Sequence, residues 1–152
     1  MFDFPVYMTI EKKKAVIIGG GTIALRKAEK LLSAQAEVIV VAPDLHQDLF
    51  SLYEKESIVW IKDICRREYF EDAFIIVSAS GDKQAQAVIE AAARENQLVN
   101  GADNPSIGNI AFPATIESRE VHIAVSTNGR NPALAKKLKQ KISSQLPEWL
   151  NT

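Results

Sequence analysis

Short apolar runs alternate with longer amphipathic segments along most of the chain. Lys14–Ile18 is a β-branched run typical of a strand buried on both faces, and Thr22–Ala34 places its apolar residues at mostly helical spacing. Further helices are predicted over Asp44–Glu54, with Asp44 as an acidic N-cap, and over Asp82–Gln97. The remaining apolar runs predict strands at EVIVVAP (37–43), SIVWI (57–61), AFIIVSAS (73–80) and LVN (98–100).

This alternation of strands and helices predicts an α/β fold of the Rossmann type, a doubly wound parallel sheet with helices on both faces. Near residue 103 the pattern changes. IAFPATIE (110–117) and VHIAVS (121–126) predict two strands joined by a turn at 118–120, an antiparallel addition to the sheet. A final helix is predicted to begin with Asn131 as N-cap and Pro132 as its first residue, and to end at Pro147.

Composition narrows the class of protein. With 18 Lys and Arg against 19 Asp and Glu, the chain lacks the general positive field that drives binding to nucleic acid. The single cysteine, Cys65, cannot form an intramolecular disulfide and is typical of a reducing compartment; we interpret it as a packed apolar residue rather than a reactive thiol. The N-terminus lacks a signal-peptide pattern and no segment is apolar enough to span a bilayer, so we expect a cytoplasmic protein with no membrane partner.

A glycine-rich turn joins the first strand to the first helix. Gly19, Gly21 and Ala24 match the pattern G-x-G-x-x-G/A, in which one glycine permits a tight turn, the second admits a pyrophosphate and the small third residue allows close helix packing. The start of the helix then offers N–H groups and its positive dipole end to the anion. This context favours a dinucleotide site over a purely structural corner.

The end of the second strand departs from the usual fingerprint. An acidic residue normally stands there to hold the ribose hydroxyls, but Ala42 takes that place and the first acid is Asp44. Asp44 either reaches the adenosine ribose or caps the next helix. No arginine follows at once to accept a 2′-phosphate, so NAD is favoured over NADP.

Few residues suggest chemistry on their own. His46 and His122 lie far apart and show no metal-ligand spacing, so no metal is predicted. Asp103 follows the fifth predicted strand at the sheet edge that should hold the cofactor, and it either performs proton chemistry or, together with Asn104, caps the turn before Pro105. The STNGRNP stretch (126–132) suits a carboxylate or phosphate, or is an ordinary loop-to-helix junction. A solvated helix face is predicted for Lys136, Lys137, Lys139 and Lys141.

Several motifs together resemble one family. GGGTIALRK (19–27), a VN-x-x-D-x-P segment (99–105), FPA (112–114) and VSTNGRNPALAKKL (125–138) are similar to precorrin-2 dehydrogenase, the NAD-dependent N-terminal part of siroheme synthase. The resemblance covers nearly the whole chain. It implies oxidation of precorrin-2 to sirohydrochlorin, with hydride passing to the nicotinamide and a proton lost from the macrocycle. It also implies a homodimer whose tetrapyrrole cleft lies between subunits.

The resemblance assigns roles to residues. Asp103 matches the family's catalytic aspartate and becomes the expected general base. Residues 1–112 are expected to form the NAD-binding domain, and 113–152 the dimer and substrate side. The expected cofactor contacts are Gly19, Gly20, Gly21, Thr22, Ile23, Pro43, Asp44 and Ser80. The expected substrate contacts, which would meet the many carboxylates of the tetrapyrrole, are Arg26, Lys27, Asn104, Arg119, Ser126, Thr127 and Arg130.

Two departures from the family pattern touch the substrate side. Asn104 stands where members often carry an acidic or small residue, and SIGNIAFP (106–113) replaces the more usual segment. The chain also ends soon after the helix that starts near Pro132, whereas many members continue, so insertion of iron is not expected. The alternative from another class is a non-catalytic module that senses a dinucleotide and regulates a partner. Such a module has no use for a carboxylate facing the nicotinamide, so Asp103 discriminates between the two.

Overall fold

The computed structural model describes residues 2–119, 121–128 and 130–150. Within these ranges the chain forms two compact units, one comprising Tyr7–Ala111 and the other residues 2–6 together with 112–119, 121–128 and 130–150. Compactness does not measure independent folding, so the division into domains at 112/113 stays a prediction.

The larger unit is a five-stranded parallel sheet with its helices in alternation. Its elements are β1 (Lys14–Ile18), α1 (Thr22–Ser33), β2 (Glu37–Val41), α2 (Gln47–Glu54), β3 (Val59–Ile61), β4 (Ile75–Ser78), α3 (Lys83–Ala92) and β5 (Leu98–Gly101). The strand order is β3-β2-β1-β4-β5, and every pair is parallel. The predicted α/β fold is confirmed. The order reverses between β1 and β4, and open α/β sheets bind ligands in the crevice at that switch point.

The central strand β1 explains why the sheet holds together. Ala15, Val16 and Ile17 are fully buried, as expected for a strand covered on both faces. One face of the sheet forms a core with α3, through Ile76 of β4 and Ile89 of α3. The carboxyl ends of β1 and β4 lie beside each other because the two strands pair in parallel, with Ile18 opposite Ser78.

Two helix boundaries differ from the predictions. The second helix does not begin at Asp44: α2 starts at Gln47, and His46 is its N-cap, with Nδ1 accepting the Asp48 N–H at 3.2 Å. The third helix ends at Ala92 rather than Gln97, because the Gln97 side chain is buried and donates to the carbonyls of Phe70 and Ala73, each at 2.8 Å. The start of α2 also depends on a distant contact, since the His46 N–H donates to the Gly20 carbonyl at 2.7 Å. This contact and those of Gln97 join segments far apart in sequence, which local propensity does not register.

The smaller unit contains a hairpin and a long helix. Strands β6 (Ala114–Glu117) and β7 (His122–Val125) pair antiparallel, as predicted, but they form a two-stranded sheet of their own, so their predicted addition to the main sheet is wrong. The hairpin is closed by the Ser118 N–H, which donates to the Val121 carbonyl at 2.9 Å. In the predicted turn, Glu120 lies outside the described residues.

The last helix, α4, spans Pro132–Leu150. Its predicted start is confirmed, since Asn131 Oδ1 accepts the Leu134 N–H at 2.9 Å and Pro132 is the first helical residue. The predicted end at Pro147 is wrong, because Pro147 lies inside the helix. Proline removes one backbone donor, and here burial of the neighbouring Leu146 stabilises the final turn. Among the described residues, none of the helices combines the length and apolar composition needed to cross a bilayer.

Candidate functional site

A cavity of about 690 Å³ lies at the carboxyl ends of β1, β2 and β4 in the larger unit. Three loops form most of its wall: the glycine turn after β1, the loop after β2, and the β4–α3 loop, which we define as Ala79–Asp82. The cavity is lined by Ile18, Gly19, Gly20, Gly21, Thr22, Val41, Ala42, Pro43, Asp44, Leu45, His46, Ile64, Cys65, Ala79, Ser80, Asp82 and Ala85. Its position is the crevice in which open α/β sheets bind nucleotides.

Two glycines of the turn are required by the fold. Gly19 has a φ of +128°, and a Cβ there would lie 2.5 Å from the Ala79 carbonyl oxygen. A Cβ on Gly20 would lie 2.0 Å from the Asp44 carbonyl oxygen. The glycine turn is therefore in backbone contact with both of the other loops of the cavity.

Gly21 differs from its neighbours, because a Cβ there would meet nothing within 4 Å. It is the N-cap of α1 and provides no side-chain hydrogen bond to the helix. The N–H groups of the first turn have no acceptor within the helix, and they lie at its positive dipole end. The space above Gly21 together with these donors fits the pyrophosphate of a dinucleotide.

The loop after β2 is held from two sides. The His46 N–H donates to the Gly20 carbonyl at 2.7 Å, and Trp60 Nε1 donates to the Ala42 carbonyl at 2.9 Å. Asp44 lines the cavity and is exposed. Since His46 caps α2, the interpretation of Asp44 as its N-cap is wrong; its contact with a ribose stays a prediction.

The structure brings most of the predicted cofactor residues to this cavity. Gly19, Gly20, Gly21, Thr22, Pro43, Asp44 and Ser80 line it, whereas Ile23 does not. Sequence reasoning did not identify Ile64 and Cys65, which follow β3, or Asp82 at the start of α3. A usable signal existed, because carboxyl ends of parallel strands share one edge of the sheet.

Cys65 is half-buried and its Sγ lies 3.8 Å from the Ala85 carbonyl. Burial, and secondly the charge of Asp82, raise the pKa of its thiol to about 11. The thiol is therefore protonated at neutral pH, which supports its interpretation as a packed residue. His46 and His122 fall in different units, and within the described ranges no group of three His, Cys, Asp or Glu side chains is placed to hold a metal ion.

Asp103 follows β5 and is half-buried beside the cavity loops, but it is not one of the lining residues. Its Oδ2 accepts the Gly81 N–H at 2.7 Å. Oδ1 is buried, as is the Oγ of nearby Ser78, and within the described residues neither atom has a partner at standard hydrogen-bond geometry. Burial raises the pKa of Asp103, but the effect of Ser78, Gly81 and Gln86 outweighs burial and holds it below its usual range. The carboxyl is therefore ionised at neutral pH.

The predicted turn before Pro105 is also present. Asn104 caps it, as predicted, because its Oδ1 accepts the Ser106 N–H at 3.2 Å. The predicted cap by Asp103 is wrong, since the Asp103 carboxylate accepts the Gly81 N–H instead. The Asn104 amide also donates to Gln86 Oε1 at 3.2 Å.

The predicted substrate residues are divided between the units. Arg26, Lys27 and Asn104 belong to the larger unit, while Arg119, Ser126, Thr127 and Arg130 belong to the smaller one. In the latter, Thr127 Oγ1 donates to the Asn131 carbonyl at 2.9 Å and Ser126 Oγ accepts the Asn128 N–H at 3.2 Å. These hydroxyls stabilise the turn before α4, of which Gly129 lies outside the described residues.

Lys27 lies half-buried on α1, and burial, followed by the charges of Lys30 and Arg26, lowers its pKa to about 8. The charged form is thus less favourable in the folded than in the unfolded protein. We expect Lys27→Met to raise the free energy of unfolding by about 1–2 kcal/mol at pH 7. This gain should shrink as pH rises through about 8, the pKa in the folded protein, and be lost only above 10.5, the pKa in the unfolded chain, where Lys27 is neutral in both states. Urea denaturation of the two proteins at pH 7 and pH 10 measures it; an equal difference at both pH values would contradict it.

Comparisons with known proteins agree on one family. A family model described as Putative NAD(P)-binding matches residues 6–114, and another, Sirohaem biosynthesis protein central, matches residues 123–145. The chain is 33% identical over 138 residues to the precorrin-2 dehydrogenase of Bacillus subtilis (strain 168), covering 91% of this chain and 85% of that protein. A solved structure of SirC, precorrin-2 dehydrogenase, superposes with a TM-score of 0.85 at 29% identity, covering 94% of this chain and 71% of that chain.

Longer relatives match as well. The chain is 35% identical over 148 residues to the siroheme synthase of Mannheimia succiniciproducens, covering 97% of this chain and 31% of that protein. The siroheme synthase of Actinobacillus succinogenes is 32% identical over 151 residues, with 32% of its length covered. The chain therefore spans about a third of the length of these siroheme synthases.

Proposed function

The chain belongs to the precorrin-2 dehydrogenase family, and from that membership we propose that it oxidises precorrin-2 to sirohydrochlorin with NAD as the acceptor. Each turnover removes one hydride and one proton from the macrocycle, which therefore loses two hydrogen atoms. The observation that carries the proposal is the open position of Gly21 at the start of α1, where no side chain caps the helix, inside a cavity large enough for a nucleotide.

Different residues of the cavity would bind different parts of the dinucleotide. Gly21 and the first turn of α1 would hold the pyrophosphate, and Asp44 would accept hydrogen bonds from the adenosine ribose. An exposed carboxylate at Asp44 repels a 2′-phosphate, which supports NAD over NADP. When bound, NAD supplies the acceptor for the hydride.

Asp103 is the proposed general base. Its carboxyl is ionised at neutral pH, so it is ready to accept a proton, and it follows β5 next to the loop that borders the cavity. The lowered pKa makes it a weak base in the absence of substrate. A negatively charged substrate held beside it would raise that pKa towards the working range.

The proposed substrate is a tetrapyrrole with many carboxylates. Arg26, Arg119 and Arg130 are exposed cations able to pair with them, and a carboxylate on Lys27 would offset the unfavourable burial of its charge. Asn104, Ser126 and Thr127 would add uncharged donors. These contacts need local charge only, so the net charge of −1 is no obstacle.

The direct test is anaerobic incubation of the chain with precorrin-2 and NAD. We expect the absorbance of NADH and of sirohydrochlorin to rise together in equal amounts. NADPH formation in a parallel reaction with NADP should be slower. Tight NAD binding with neither product formed would contradict the proposed dehydrogenase activity and favour the alternative, a non-catalytic module that senses a dinucleotide. One observation supports that alternative: Asp103 does not line the cavity.

We also propose a cytoplasmic homodimer. Its support is the number of large apolar side chains left exposed on α4, where Leu134, Leu138 and Trp149 are 43%, 39% and 52% exposed. Exposed apolar surface of this kind is typical of a protein contact. Light scattering is expected to give twice the mass of the chain, and Leu138→Glu to shift it towards the monomer. A monomeric mass for the unaltered chain would contradict the proposal.

A further inference from the structure

The loop Ala79–Asp82 forms one wall of the cofactor cavity and is held by few bonds. Ala79, Ser80 and Asp82 line the cavity. Gly81 has a φ of +70°, and a Cβ added there would meet nothing within 4 Å, so no contact at the side-chain position fixes its conformation. Its conformation depends on hydrogen bonds to its backbone.

Asp103 provides such a bond from another part of the chain. Its Oδ2 accepts the Gly81 N–H at 2.7 Å, across 22 residues of sequence. At its first residue the loop is tied to β1, because the Ala79 N–H donates to the Ile18 carbonyl at 2.8 Å. Beyond Ala79 the loop has local bonds: Ser80 Oγ accepts the Asp82 N–H at 3.1 Å, and Asp82 Oδ1 accepts the Gln84 N–H at 2.9 Å. The Asp103 backbone is itself anchored to β4, because its N–H donates to the Ser78 carbonyl at 3.3 Å.

Movement of this loop would disturb the glycine turn, the part of the cavity proposed to bind the pyrophosphate. Gly19 and Ala79 are in such close contact that a Cβ on Gly19 would lie 2.5 Å from the Ala79 carbonyl oxygen. Displacing Ala79 therefore displaces the surface against which the glycine turn rests.

We propose that Asp103 is also a positioning residue for the cofactor: its carboxylate holds the loop Ala79–Asp82 in the shape that binds the dinucleotide. This second role rests on the proposed function, since it assumes that the cavity takes NAD. It makes cofactor affinity depend on an acceptor at position 103, and not on the negative charge or basicity of that acceptor.

Two substitutions of Asp103 distinguish its role as a hydrogen-bond acceptor for Gly81 from its role as the general base. Asparagine keeps a carbonyl oxygen that accepts the Gly81 N–H, and its NH₂ group can donate to Ser78 Oγ, but it cannot take up a proton. Alanine removes the acceptor as well. Asp72→Ala is the matched control, because Asp72 is an exposed aspartate that precedes β4 at the opposite edge of the sheet and pairs with Lys14.

Titration calorimetry with NAD alone measures the first effect. We expect Asp103→Ala to raise the Kd about tenfold, while Asp103→Asn and Asp72→Ala stay within threefold of the unaltered chain. The second readout is the Gly81 amide in NMR spectra, which should exchange with solvent faster in Asp103→Ala only. Circular dichroism shows whether each variant is folded, and if Asp103→Ala is not, Asp103→Leu replaces it.

Equal NAD affinity and equal Gly81 exchange in the Asn and Ala variants would overturn the positioning role and leave the dehydrogenase proposal intact. Conversely, a folded unaltered chain that binds NAD with the expected differences, yet forms no sirohydrochlorin, would reject the proposed activity and keep the positioning role.

Discussion

Replacement of Gly21 by aspartate is expected to abolish NAD binding while leaving the protein folded. A side chain at position 21 has open space in the structure, so the fold does not oppose it. Gly21 is also the N-cap of α1, with an extended backbone, a position that aspartate favours. The same side chain would occupy the space proposed for the pyrophosphate, and its negative charge would repel that anion. We expect Kd to rise more than 100-fold, about 2.7 kcal/mol or more.

Titration calorimetry and thermal unfolding together test this expectation. NAD binding should be lost while the unfolding temperature stays equal or rises. Gly21→Asn is the matched control, because asparagine has the shape of aspartate without the charge; it should weaken binding less. Retained NAD affinity in Gly21→Asp would mean that the pyrophosphate does not lie on the glycine turn.

Gly20→Ala provides the opposite contrast. Its Cβ would lie 2.0 Å from the Asp44 carbonyl oxygen and 2.9 Å from Ala42 Cβ. We expect it to lower the free energy of unfolding by about 2–3 kcal/mol. Substitution of Gly20 is thus expected to lower the stability of the fold, whereas substitution of Gly21 is expected to weaken NAD binding.

Asp103→Asn is expected to remove most turnover of precorrin-2 while NAD still binds. The amide keeps the hydrogen bond to Gly81 but cannot accept a proton from the macrocycle. General-base catalysis contributes on the order of 10²–10⁴-fold, so kcat should fall by that amount. The KM for NAD should stay within about threefold, because the loop Ala79–Asp82 keeps its acceptor.

Steady-state kinetics under anaerobic conditions, with NAD and precorrin-2 varied in turn, measures this split. Asp72→Asn is the control for loss of a negative charge away from the cavity, and it should leave both parameters unchanged. A kcat for Asp103→Asn close to that of the unaltered chain would exclude Asp103 as the base.

The local pattern of residues was sufficient to predict the order of the strands and helices and the position of the glycine turn. The run Lys14–Ile18 forms a strand that is buried from Ala15 onward, and Asn131 with Pro132 begins α4 as predicted. These features depend on side chains and backbone conformations within a few residues, which a linear sequence displays directly. Seven of the eight cofactor residues expected from the family resemblance line one cavity, because the carboxyl ends of parallel strands and the loops after them meet at one edge of the sheet.

Other features depended on contacts between distant segments. α2 begins at Gln47 rather than Asp44, because the loop after β2 is bonded to Gly20. Gln97 lies outside α3, because its side chain donates to the carbonyls of Phe70 and Ala73. The hairpin β6–β7 could be predicted as antiparallel, but not as a separate sheet, because pairing with a third strand is decided in space.

The sequence by itself determined an α/β chain with a glycine turn at the switch point of its sheet, because apolar periodicity and turn chemistry are local. Only the tertiary structure decided where the carboxylate of Asp103 points. Its partner is the Gly81 N–H, 22 residues away, rather than the cavity itself. A hydrogen bond between two loops requires both strands before them to be in register, and that register exists only in the folded sheet.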